Sequence, residues 1–117
     1  MNATASVLTD SEFHRLSDAV LSGIEATIDR WLQDDVIDVD LHRTGGLLEL
    51  SFPNGSKIII NTQPPLHELW VAAKAGGHHY RHEAGLWVDT RDGAEFFASL
   101  SGFATQQGGL ALQFDAP

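Results

Sequence analysis

The chain of 117 residues has no cysteine. Disulfides, a thiolate nucleophile, cysteine-ligated zinc and a cysteine-held iron–sulfur cluster are all excluded on that ground. No apolar run approaches the ~20 residues that a membrane-spanning helix requires. Met1 to Thr9 contain neither a basic stretch followed by an apolar one nor an arginine, so neither a secretory signal nor a mitochondrial presequence is expected. A cytoplasmic location is the simplest expectation. The nucleophile elbow G-x-S-x-G, the phosphate loops G-x-x-x-x-G-K-[ST] and G-x-G-x-x-G, the zinc motif H-E-x-x-H and the EF-hand run are missing too. Enzyme chemistry therefore has no support from motifs.

Basic residues are scarce. Seven Lys and Arg stand against 16 Asp and Glu, a net charge of −9. The imbalance sits at one end: residues 1–40 carry nine acids and two bases, and residues 41–117 carry seven acids and five bases. Such a field repels phosphate backbones, so nucleic acid is not an expected partner, and a membrane is not expected either. It attracts cations or a basic protein surface.

What is present suffices for a folded domain. Apolar residues make up 43% of the chain, and at this length one domain, 1–117, with one modest core is expected. Thr9 and Glu12 have the spacing of a helix capping box. Phe13, Leu16, Val20, Ile24, Ile28 and Trp31 follow at steps of three and four, which predicts a helix over about 10–32. Period two then takes over. Ile37, Val39 and Leu41 alternate with Val36, Asp38 and Asp40, and Leu48, Leu50 and Phe52 alternate with polar neighbours, predicting two strands. Asn54-Gly55 marks a hairpin turn into a β-branched third strand, Lys57 to Asn61. Pro64-Pro65 breaks the run. Strands are predicted over Leu66–Ala73, His78–His82 and Leu86–Asp89. Asp92-Gly93-Ala94-Glu95 opens a last helix that Gly108-Gly109 stops. The apolar tail, Leu110 to Phe114, should pack back on the fold. The order predicts an α+β, two-layer α/β sandwich: helix, antiparallel sheet of about six strands, helix, with both helices on one sheet face.

Three constellations bear on chemistry. Opposite the apolar stripe of the first helix, His14, Asp18, Glu25 and Asp29 fall within an arc of about 60°. They are either a solvated polar face or oxygen ligands for a hard cation, and they run on into Asp34, Asp35, Asp38 and Asp40. His78, His79 and His82 are either surface histidines or part of a metal site, with His79 pointing away from the other two. Asn61 and Gln63 share a strand face, and Trp70 is either core or an anchor on an open sheet face.

Phe52-Pro53-Asn54-Gly55-Ser56-Lys57-Ile58-Ile59-Ile60-Asn61, continuing as Gln63-x-Pro65-Leu66-His67-x-x-Trp70, resembles the central signature of frataxins. Ser11-Glu12-Phe13-His14-Arg15-Leu16, Lys74-x-Gly76-Gly77 and Ala104-Thr105-Gln106-Gln107 resemble the bacterial branch, so the likeness runs from about Asp10 to Phe114. It implies the same two-helix sandwich. It implies an iron-binding regulator of iron–sulfur cluster assembly, cytoplasmic in bacteria, that docks on a cysteine desulfurase and its scaffold protein and forms iron-induced oligomers in some members; a monomer is the default expectation for this chain. It implies weak iron binding, as Fe2+ or Fe3+, at Asp10, His14, Asp18, Glu25, Asp29, Asp34, Asp35 and Asp38, and scaffold contact at Asn61, Gln63, His67 and Trp70. The competing expectation is an iron store or ferroxidase acting on the same carboxylates. Ala26, Arg30, Leu32 and Val36 stand where the family often has acids, so fewer or weaker iron sites are expected here.

Overall fold

The computed structural model describes residues 7–117. Most of the stretch read above for a leader lies outside the described residues. Helix α1 spans Asp10–Gln33, and helix α2 spans Phe96–Gly108. Between them run β1 (Asp40–Thr44), β2 (Leu47–Ser51), β3 (Lys57–Gln63), β4 (Glu68–Ala73), β5 (Gly76–Glu83) and β6 (Leu86–Asp89). Every strand pairs antiparallel with its neighbour in sequence, giving one sheet in the order β1-β2-β3-β4-β5-β6. This is the architecture the sequence predicts.

The local signals act as expected. The Thr9 hydroxyl accepts from the Glu12 amide at 3.1 Å and Glu12 Oε1 accepts from the Thr9 amide at 2.9 Å, completing the capping box. Phe52 N donates to Ser56 O at 2.8 Å and closes the Asn54-Gly55 turn. Gly109, at φ +78°, takes the left-handed position that ends α2. Alternation sends Leu48, Leu50, Ile58, Ile60, Leu69, Val71, Tyr80 and Trp87 to one sheet face, where they meet Phe13, Val20, Leu21, Ile24 and Ile28 of α1 and Phe96, Phe97, Leu100 and Ala104 of α2. Leu112 and Phe114 of the tail join this core, as predicted.

Some boundaries move. The first strand starts at Asp40 rather than near Val36. Val36 N still donates to Trp31 O at 2.8 Å, within the turn that ends α1, and the β2 partner strand runs out at Ser51, which pairs with Asp40. The fourth strand starts at Glu68 rather than Leu66, because Pro64–Leu66 forms a 3-10 turn and His67 takes a left-handed conformation at φ +52°. Helix α2 starts at Phe96 rather than Asp92. Glu95 is its N-cap, accepting from Phe97 N at 2.7 Å and Ala98 N at 2.9 Å, while Asp92 binds the Ala94 amide in the preceding turn.

Candidate functional site

The polar stripe of α1 lies beside the edge strand β1, and one cation divides it. Arg43 of β1 reaches across to α1, with Nη1 at 2.6 Å from Glu25 Oε1 and Nη2 at 2.6 Å from Asp18 Oδ1. The Glu25 hydrogen bond first, and that of Asp18 second, raise the guanidinium further above its ordinary pKa against the opposing effect of burial. The sequence reading missed Arg43. A signal existed: Leu41 and Arg43 share strand parity, opposite Leu50 and Leu48, so Arg43 faces the helix side of the sheet.

The remaining predicted ridge residues fall in two groups. Asp10 lies at the start of α1, its Oδ1 accepting from His67 Nε2 at 2.7 Å, and His14 is exposed one turn on. Asp29, Asp34, Asp35 and Asp38 are exposed at the other end, where α1 turns toward β1. Gln33 Nε2 donates to Asp29 Oδ2 at 2.9 Å, and Asp35 sits at φ +55° in the left-handed position usually given to glycine. Among the described residues no three His, Asp or Glu side chains converge on one metal position. The carboxylates are spread along a surface.

Between α1 and β1 this end of the ridge opens into a groove of about 540 Å³. Ile28, Leu32, Val39 and Leu41 line it together with Glu25, Asp29, Asp38 and Asp40. Leu32 and Val36 are exposed beside the acids. Asp40, expected on the ridge though not among the implied iron ligands, lines the groove here.

The sheet face away from the helices carries Asn61, Gln63 and Trp70. Asn61 pairs with Trp70, and Trp70 with His79, so the three form a row across β3, β4 and β5. Trp70 is half-buried on this face rather than in the core. Its indole stacks on the His79 ring at 4.0 Å and 5°, and its Nε1 donates to Glu68 Oε1 at 2.9 Å. His79 and Glu68 thus fix the indole flat, a role that only the β4–β5 register reveals. His67 is not on this face. It stacks on Phe13 of α1, with centroids 5.1 Å apart, at the far side of the sheet.

The histidine cluster is split by the strand. His78 and His82 face the helix layer and His79 the open face, as alternation predicts. His78 Nδ1 donates to Asp89 Oδ2 at 3.2 Å, while its Nε2 is buried without a partner among the described residues. Burial pushes the Asp89 carboxyl up, but bonds from the Arg91 amide, the His78 ring and the Asp92 amide outweigh it, and the net shift is downward. Burial pushes the His82 imidazole down.

An α+β sandwich with an acidic ridge along one helix and an uncovered sheet face offers surfaces for binding rather than an enclosed catalytic pocket. A model of the frataxin-like domain matches residues 6–110. The iron-sulfur cluster assembly protein CyaY of Burkholderia mallei (strain SAVP1) is 50% identical over 109 residues, 93% of this chain and 100% of the relative. That of Burkholderia pseudomallei (strain 668) matches at the same 50% identity and the same coverage. The solved frataxin of Psychromonas ingrahamii superposes with a TM-score of 0.82 at 40% identity, covering 92% of this chain and 99% of that one. A trimeric frataxin from the yeast Saccharomyces cerevisiae, complexed with ferrous iron, has a TM-score of 0.68 at 21% identity and covers 88% of each chain. The chain belongs to the frataxin-like family, and its CyaY relatives are named as assembly proteins, not as enzymes.

Proposed function

We propose that the protein is an iron-binding regulator of iron–sulfur cluster assembly, working in the bacterial cytoplasm, that docks through its acidic ridge on a cysteine desulfurase and its scaffold. The observation that carries this reading is the row of exposed carboxylates Asp29, Asp34, Asp35 and Asp38 in a chain of net charge −9, with no basic residue bonded to them among the described residues. Half identity to CyaY proteins named for that assembly supplies the biological setting.

The mechanism is electrostatic. Opposed charge steers a basic desulfurase surface onto the ridge and fixes its register. Iron, a cargo held weakly by monodentate carboxylates at an open surface, neutralises part of the same field and tunes the docking. Of the eight proposed iron ligands, Asp18 and Glu25 already hold a guanidinium and Asp10 holds His67. The first iron therefore goes to the Asp29–Asp38 end. Asn61, Gln63 and the flat Trp70 indole form the scaffold contact. His67 supports this surface only from behind, by securing α1 to the β3–β4 turn.

The test is an anaerobic ¹⁵N NMR titration with Fe2+, followed by one with the desulfurase. Broadening confined to residues 29–40 by iron, with desulfurase shifts on the same residues, is the expected result. Desulfurase shifts there without any iron effect would leave a protein-binding regulator and remove iron from the reading. Fe2+ oxidation faster than in buffer, at fixed stoichiometry, would replace it with a ferroxidase.

A further inference from the structure

We infer that the groove between α1 and β1 seats one apolar side chain of a basic partner segment, so that docking on the ridge selects a leucine- or methionine-sized residue flanked by lysine or arginine. The inference rests on the proposed docking role and sharpens it.

The lining has two parts with different chemistry. Ile28 and Val39, 4% and 5% exposed, form the floor. Leu32, 52% exposed, stands as an apolar wall on the helix side. Asp29 on α1 and Asp38 and Asp40 at the start of β1 form the rim. Exposed leucine on an amphipathic helix in the midst of acids gains nothing from solvent, whereas a covered one does. The strand order places β1 at the sheet edge, so among the described residues no further strand covers the groove on that side.

The groove also has a fixed end. Glu25 is held by Arg43, which closes the rim with a neutralised pair at 2.6 Å. Beyond it the charge is uncompensated. A partner's cations therefore find carboxylates on both sides of the apolar floor only between Glu25 and Asp38. A purely acidic surface would accept any polycation. A floor of Ile28 and Val39 adds apolar contact for one side chain, and the rim requires that its neighbours be basic.

The probes are two synthetic lysine-rich peptides, identical except for one central residue, leucine in one and serine in the other. Each is titrated into the ¹⁵N-labelled protein at low salt. The leucine peptide should bind about tenfold more tightly, the order expected for partial burial of one leucine side chain. Its shifts should centre on Ile28, Leu32, Val39 and Leu41. Leu32→Gln, at an exposed position that the fold tolerates, should erase the difference between the peptides and leave the weaker affinity intact. Equal affinities with shifts along the ridge would overturn the groove and leave the electrostatic docking standing. Binding of neither peptide, or shifts confined to the open sheet face, would overturn both.

Discussion

Arg43 and Glu25, 18 residues apart in the chain, are joined by a hydrogen bond of 2.6 Å between Nη1 and Oε1 that ties the edge strand to the first helix. The same guanidinium holds Asp18 through its other nitrogen. Acids that look like a continuous stripe in the sequence are thereby sorted into neutralised and free ones.

The Arg43 contacts should be separable by double-mutant cycles. Arg43→Gln should lower stability by about 1–2 kcal/mol, since both pairs are partly exposed and screened. Coupling to Glu25, whose side chain is 34% exposed, should exceed coupling to Asp18 at 67%. Urea denaturation of the two cycles measures this; equal couplings would mean that Asp18 is as well desolvated as Glu25.

Reversing charge at the free end of the ridge should weaken the partner and not the fold. Asp29→Lys combined with Asp34→Lys is expected to reduce desulfurase affinity tenfold or more at low salt, with the loss shrinking as salt rises. Calorimetric titration at two ionic strengths reads it. An unchanged, salt-insensitive affinity would remove the ridge from the interface.

Asp35 occupies a left-handed backbone position at φ +55°. Asp35→Gly should therefore stabilise the protein, by about 0.5–1 kcal/mol, because glycine pays no Cβ penalty there. It also deletes one carboxylate of the ridge, so thermal stability and desulfurase affinity should move in opposite directions. Asp35→Ala, with the penalty retained, should lose both.

Buried Asp89 and half-buried His82 give stability a pH dependence with separate windows. Asp89 has a lowered pKa in the folded state. Its contribution is fully present above the ordinary aspartate value of about 3.9 and is lost as pH falls through the lower folded value. His82 is also lowered, so the unfolded chain takes up a proton first, and stability declines as pH drops below about 6.5. Denaturation midpoints measured from pH 8 to 3 should show both declines. Asp89→Asn should shrink the acidic one, leaving the part due to Glu12, whose bonds to Thr9 also lower its pKa, and destabilise by about 1–3 kcal/mol at neutral pH, through weakened bonds to half-buried His78 and the turn amides.

Short-range signals made most of the fold legible. The capping box at Thr9 and Glu12, the Asn54-Gly55 turn and Ile58–Ile60 each act within a few residues, and period two put Asn61 and Gln63 on a common face, while Trp70 stayed open between core and surface until the β3–β4 pairing with Asn61 placed it. What stayed hidden depends on register or on long loops. That His79 lies under Trp70 follows from the β4–β5 pairing. That Arg43 meets Asp18 and Glu25 follows from how α1 lies against β1. His67 shares a motif with Trp70, but their odd spacing of three already opposes them across the sheet; what stayed hidden is that His67, in a left-handed turn, stacks on Phe13 and binds Asp10 of α1. Strand onset at Asp40 was hidden because Ile37 and Val39 alternate correctly but have no partner to pair with.

The sheet ends in two short strands, and each edge is guarded differently. At β6 the chain covers itself, as Glu95 pairs with Val88 on the outer side. At β1 the guard is charge: the strand has five residues, opens with Asp40 and is preceded by Asp38. Two copies brought edge to edge would set these carboxylates against each other, which natural sheets use to prevent strand-by-strand aggregation. The acids proposed to receive a basic partner would thus, by the same charge, oppose the protein's own twin, so that a surface left open for another molecule is one its copies are built to avoid.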